Sequence, residues 1–181
     1  RGPYQHHEMS DTRQLLELTS LAYLTAVTKP KLIFEIGTFV GRTTRLFALN
    51  SPPNTQILTL DLPSGAVAHE VGRDFHGTPE AAGITQLVGD SLGFDFSPWY
   101  GRCDLVWVDA CHDYEYAKSD TEHALRLVRP GGWIGWHDYR HSAWWSGVTR
   151  CVRETAKAHS GVVFLRGTTT ALMQAPQSGV P

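Results

Sequence analysis

The chain predicts an α/β fold, a doubly wound and mostly parallel sheet. Short apolar runs alternate with helical patterns along most of its length, which is the signature of successive βα units. The first run, Leu32–Ile36, passes directly into a turn punctuated by Gly37 and Gly41 and then into helical spacing. Five of the runs finish on an acid, namely Glu35, Asp61, Asp90, Asp109 and the pair His137-Asp138. Ligands of such sheets sit outside the carboxyl ends of the strands, so this recurrence predicts one shared, polar site.

The bulk properties bound the function. A length of 181 residues predicts one domain over 1–181, with a core of good size. A net charge of −2 with mixed signs excludes a general nucleic-acid binder, which needs a basic face. No apolar run approaches the ~18 residues of a membrane span, and no signal peptide is visible. Cys103, Cys111 and Cys151 form no Cys-x-x-Cys pair, the pattern of reduced thiols in a cytoplasm. The expected partner is a small molecule rather than a membrane or nucleic acid, and a homodimer stays open.

The elements follow in order. Residues 1–9 read as an irregular tail, with His6 and His7 as solvated tail or lid. Ser10 caps a helix to about Val27, with Leu15, Leu18, Leu21, Ala22 and Leu24 as its apolar face. Lys29-Pro30 closes this 10–29 segment, because a residue before proline avoids helical geometry. The strand at Leu32–Ile36 leads to a helix ending near Asn50, with Leu46, Phe47 and Leu49 on one face. Gln56–Asp61 is a second strand. Residues 62–83 match no element, but they are long enough for a parallel crossover. Ile84–Val88 and Cys103–Val108 are the third and fourth strands. A helix over 115–128 ends at Pro130-Gly131-Gly132, and 133–136 is the fifth strand. A helix over 145–158 turns Val148 and Val152 inward. Residues 161–166 and 169–174 form a terminal antiparallel hairpin.

The residue types suggest chemistry. Gly37 and Gly41 give a tight turn and allow close approach of a ligand to the backbone. The helix N-terminus behind them suits a carboxylate or a phosphate. Asp61, one βαβ step later, can accept from ribose hydroxyls, and Asp90 or Ser91 can meet an adenine edge. Asp109 and Asp138 on neighbouring strands need a cation or a shared proton. Oxygen ligands suit Mg²⁺, and His137 as a third ligand shifts the preference towards Zn²⁺, Fe²⁺ or Mn²⁺. The competing assignment makes Asp138 a helix cap and His137 a hydrogen-bonded core residue. His112, three residues past Asp109, can take a proton from a substrate hydroxyl. Cys111 reads as a small, partly buried residue rather than a nucleophile. Trp99-Tyr100, Tyr139 and Trp144-Trp145 are candidates for an apolar acceptor wall or for ordinary packing.

The run Glu35-Ile36-Gly37-Thr38-Phe39-Val40-Gly41-Arg42-Thr43 resembles motif I of class I S-adenosylmethionine-dependent methyltransferases, closest to the catechol-type O-methyltransferases. Asp109-Ala110-Cys111-His112-Asp113-Tyr114, Pro130-Gly131-Gly132 and His137-Asp138-Tyr139 are similar to the methyltransferase domain 24 group. The resemblance covers roughly residues 30–175. It implies a Rossmann-like, seven-stranded sheet with an antiparallel C-terminal strand. It implies S-adenosylmethionine as cofactor, held by Glu35, Gly37, Thr38, Gly41 and Thr43, with Asp61 on the ribose and Asp90/Ser91 near the adenine. Asp109 borders that cofactor. Asp109, His137 and Asp138 match metal-ligand positions for Mg²⁺ or Mn²⁺, and His112 matches the general base, with Asp109 beside it. His137 stands where metal-dependent relatives often carry an acid, and Ala110 replaces a usual glycine. The implied reaction is O-methylation of a small-molecule, sugar or phenolic hydroxyl. Two rivals remain. An NAD-dependent oxidoreductase would use the same turn, although Gly-x-Gly-x-x-Gly is absent. A non-catalytic cofactor-binding domain would regulate or scaffold a larger protein.

Overall fold

The computed structural model describes residues 11–140 and 146–178. The expectations placed on His6, His7, Ser10 and Trp144-Trp145 lie outside these residues. Among the described residues, seven strands form one sheet: β1 (Leu32–Ile36), β2 (Gln56–Asp61), β3 (Ile84–Val88), β4 (Cys103–Val108), β5 (Val128–Trp136), β6 (Val162–Phe164) and β7 (Ala171–Gln174). Their order is β3-β2-β1-β4-β5-β7-β6. The first five strands are mutually parallel, and β7 runs antiparallel to both of its neighbours. The order reverses between β1 and β4, which is the switch point where such sheets open a crevice.

β1 is buried along its whole length, as a central parallel strand must be. Its side chains alternate between two cores. Ile33 faces helices α1 (Asp11–Thr28) and α2 (Arg42–Asn50), where Leu21, Leu24, Phe47 and Trp107 pack. Phe34 and Ile36 face helices α3 (Tyr114–Leu127) and α4 (Ser146–Ala158), where Ala124, Leu127, Val148 and Val152 pack. Among the described residues, no helix is long and apolar enough to cross a membrane. All three cysteines are free thiols.

Several expectations need correction. Leu15 and Leu49 are solvent-facing, 65% and 59% exposed. The buried stripe of α1 is instead Glu17, Leu21, Leu24 and Thr25, at the i, i+4, i+7, i+8 spacing of one helical face. Pro130-Gly131-Gly132 does not terminate a helix. α3 has already ended at Leu127, and the three residues lie inside β5. They form a bulge, because Cys103 pairs with Val128 whereas Leu105 pairs with Trp133. Residues 62–83 cross over without an α-helix, through turns and a 3₁₀ segment at Pro79–Gly83. This crossover is anchored to the loop after β1, with Gly72 N–H donating to Phe39 O at 2.9 Å and Asp74 N–H to Val40 O at 2.8 Å.

Candidate active site

The loop after β1 is a left-handed turn, with positive φ at Gly37, Phe39 and Gly41. Its glycines are required by neighbouring chain. A Cβ on Gly37 would lie 2.1 Å from the Asp109 carbonyl oxygen, and one on Gly41 would lie 2.5 Å from the Phe75 ring. Gly41 caps α2 through its backbone, and no side chain caps the first turn. The N–H groups of that turn, Thr43 included, therefore keep their anion-binding capacity.

Asp61 holds this loop in shape. Its Oδ2 accepts from the Thr38 and Phe39 N–H groups at 3.0 and 2.7 Å, and its Oδ1 accepts from Leu62 N–H. Glu35 lies beneath the loop, 1% exposed. Its Oε2 accepts hydroxyl bonds from Thr44 and Thr59, and Thr59 continues to Thr38 at 2.7 Å. Its Oε1 is buried with no partner among the described residues. Burial pushes the Glu35 carboxyl up to about 8, against the pull of the two hydroxyls.

Asp90 and Ser91 follow β3. Asp90 is fastened by Leu92 N–H at 3.1 Å and by the Tyr116 hydroxyl at 3.2 Å. Beside them the sequence reading missed Asp120 of α3, which is fully buried and pushed up to about 7 by burial and by the Asp90 charge.

The ends of β4 and β5 carry the second half of the site. Asp109 is joined to the first half through its backbone, its N–H donating to Ile36 O at 2.8 Å. Asp138 has φ +60 in the left-handed region. This bend past the strand end lets adjacent side chains converge. His137 Nδ1 lies 2.9 Å from Asp138 Oδ2 and 3.2 Å from Asp109 Oδ1, aligned with neither as a hydrogen bond. His112 Nε2 is 2.8 Å from the same Asp138 oxygen. A third carboxylate, Glu17 of α1, stands 3.1 Å from His137 Nε2. Burial disfavours charge on His137, but the carboxylates, Asp109 foremost, outweigh it and hold the imidazole well above its usual range. Burial works to raise Glu17 and Asp138, and their histidine partners bring both below the ordinary carboxylate range.

The structure thus brings Asp109, His112, His137 and Asp138 together as expected, and adds Glu17. The available signal for Glu17 was its i, i+4, i+7 spacing with Leu21 and Leu24. The helix-cap assignment for Asp138 fails because its carboxylate faces two imidazoles. Cys111 is exposed rather than partly buried. Trp99 and Tyr100 lie at the amino end of β4, packed on Phe34 and His123, away from the site. Tyr139 is core, stacked on Phe164 at 4.3 Å.

Residues 34–139, more than half of the chain, match the model of the Methyltransf_24 family, described as a methyltransferase domain. No curated protein matches the chain. Solved structures share its architecture. The O-methyltransferase TomG of Streptomyces achromogenes, in complex with S-adenosylmethionine, is 24% identical over 87% of this chain and 79% of its own, with a TM-score of 0.67. The O-methyltransferase of Bacillus cereus, in complex with S-adenosylhomocysteine, is 20% identical over 97% of this chain and 80% of its own, with a TM-score of 0.66. A methyltransferase from Geobacter sulfurreducens is 16% identical over 88% and 77%, with a TM-score of 0.67. The chain belongs to the methyltransferase domain family and is built on the class I methyltransferase fold.

Proposed function

We propose that the protein transfers the methyl group of S-adenosylmethionine to a hydroxyl oxygen of a small molecule. One observation carries this reading. A glycine turn with an uncapped helix N-terminus and a His112–Asp138 pair meet at the carboxyl ends of adjacent strands, joined through Gly37 and Asp109. The bound S-adenosylmethionine and S-adenosylhomocysteine of the TomG and B. cereus structures support it.

The residues present fit the cofactor. The first turn of α2 offers N–H groups and a positive dipole end to its carboxylate. The unpartnered Glu35 Oε1 is a buried acceptor for its ammonium group. Gly37, Thr38, Gly41 and Thr43 would border the methionine part, Asp61 the ribose, and Asp90 and Ser91 the adenine, with Asp109 at the sulfur end. The bound cofactor supplies an electrophilic methyl group, so the protein's task is alignment and proton removal. His112 takes the acceptor hydroxyl proton. Asp138 orients the imidazole and stabilises the imidazolium that forms.

Asp109, His137 Nδ1 and Asp138 also fit a divalent cation such as Mg²⁺ or Mn²⁺. Their donor atoms lie within 4.8 Å of one another, and Nδ1 is aligned with neither carboxylate. A cation there would supply Lewis-acid polarisation of the acceptor oxygen. Calorimetry with S-adenosylhomocysteine and with NAD tests the reading. Binding of S-adenosylhomocysteine alone is expected. Binding of NAD without S-adenosylhomocysteine contradicts it.

A further inference from the structure

Helix α1 precedes the family-matched segment, yet it delivers a carboxylate to the site. Glu17 is 3% exposed, on the same stripe as Leu21 and Leu24. Its Oε1 lies 3.1 Å from His137 Nε2 and accepts the Thr170 hydroxyl at 2.5 Å, while its Oε2 accepts the Thr169 hydroxyl at 3.3 Å. Three separate pieces of chain therefore meet on one buried carboxylate: α1, the end of β5 and the segment leading into β7. Burying a carboxylate costs stability unless it is paired and hydrogen-bonded. An apolar residue would complete this stripe without that cost, so core packing alone does not account for a glutamate here.

The alternative account lies in the imidazole. Its two nitrogens are distinct, and the partner of one decides what the other presents. A carboxylate accepting from one ring N–H while the other nitrogen faces a cluster of ligands is a recurrent way of orienting such a histidine. Here Nε2 meets Glu17, and Nδ1 meets Asp109 and Asp138. We infer that Glu17 is a positioning residue of the methyl-transfer site, fixing the orientation of the His137 ring so that Nδ1 is directed at Asp109 and Asp138. The inference rests on the proposal that these three residues form the cation-binding part of the site. It makes α1 a component of that site.

The test compares the wild type with Glu17→Met, which fills the stripe without an acceptor, and Glu17→Gln, which keeps an oxygen acceptor. The readouts are ¹⁵N-resolved spectra of the His137 ring and calorimetry with Mn²⁺ and, separately, S-adenosylhomocysteine. A ring proton on Nε2 shifted downfield by its hydrogen bond is expected in the wild type and in Glu17→Gln, and that shift is expected to be lost in Glu17→Met. Mn²⁺ affinity is expected to fall by roughly 10–100-fold in Glu17→Met, with recovery in Glu17→Gln. S-adenosylhomocysteine affinity should stay unchanged in both. Wild-type ring signals with wild-type Mn²⁺ affinity in Glu17→Met would overturn the inference, as would parallel loss of S-adenosylhomocysteine binding. A wild type that binds no S-adenosylhomocysteine defeats the methyltransferase reading instead, and the ring spectra then decide the role of Glu17 alone.

Discussion

The two halves of the site are held together by different physics. The half at β1, β2 and β3 is tied by backbone amides and hydroxyls from consecutive βα units. Asp61 accepts three N–H groups, and Glu35 accepts two threonine hydroxyls. The half at β4 and β5 is a set of side-chain charges drawn from distant chain. Glu17 and Thr170 are 153 residues apart, and His112 and Asp138 are 26 apart. A half built on backbone hydrogen bonds tolerates side-chain change outside its glycines and acids. A half built on paired charges depends on every partner, because removing one leaves another buried and uncompensated.

The largest effect expected from breaking this contrast is in the charged half. His112→Ala should lower kcat by roughly 10²–10⁴-fold with any hydroxyl acceptor found by panel screening. S-adenosylhomocysteine affinity should be unchanged by calorimetry. Near-wild-type kcat would move the base elsewhere in the cluster.

Next in size is the joint between the halves. Gly37→Ala should destabilise the fold by about 3 kcal/mol, because its Cβ meets the Asp109 carbonyl and a left-handed φ disfavours a side chain. A melting temperature unchanged by the substitution would separate the two loops.

Glu35 sharpens the comparison through pH. Its carboxyl titrates near 4.5 when exposed and near 8 in the fold. Between those values the folded protein holds the extra proton, so stability falls as pH rises through the window. Glu35→Gln removes that fall. Its melting-temperature advantage over wild type should therefore grow from pH 5 to pH 8, by an amount on the order of a few kcal/mol in stability. A constant difference across that range would mean that Glu35 ionises freely.

The smallest effect is expected at Asp61. Asp61→Ala should weaken S-adenosylhomocysteine binding by roughly 1–3 kcal/mol, as three loop N–H groups lose their acceptor. Equal affinity by calorimetry would show that the turn keeps its shape unaided.

The same contrast explains which parts of the molecule are legible in its sequence. Strands β2, β3 and β4 begin and end where their apolar runs do, and the left-handed turn after β1 falls where Gly37 and Gly41 predict it, because both are local patterns. The start of β5 was not readable, since Pro130-Gly131-Gly132 has the chemistry of a stop and only pairing with β4 turns it into a bulge. Glu17 escaped for a related reason. An acid on α1 reads as solvated until the fold places it against His137. Leu15 and Leu49 misled in the opposite direction, as apolar side chains whose helices present other faces to the sheet. Residue type leaves Trp99 and Tyr100 open between an acceptor wall and ordinary packing, and the direction of β4 decides for packing by putting them at its amino end.

The central claim is that the two halves serve one methyl transfer. A crystal structure of the complex with S-adenosylhomocysteine tests it most directly. The account predicts the amino-acid end of the ligand at Gly37–Gly41, the adenine beside Asp90 and Ser91, and the sulfur facing His112 and Asp109. A ligand bound with its sulfur turned away from the His112–Asp138 pair would contradict it.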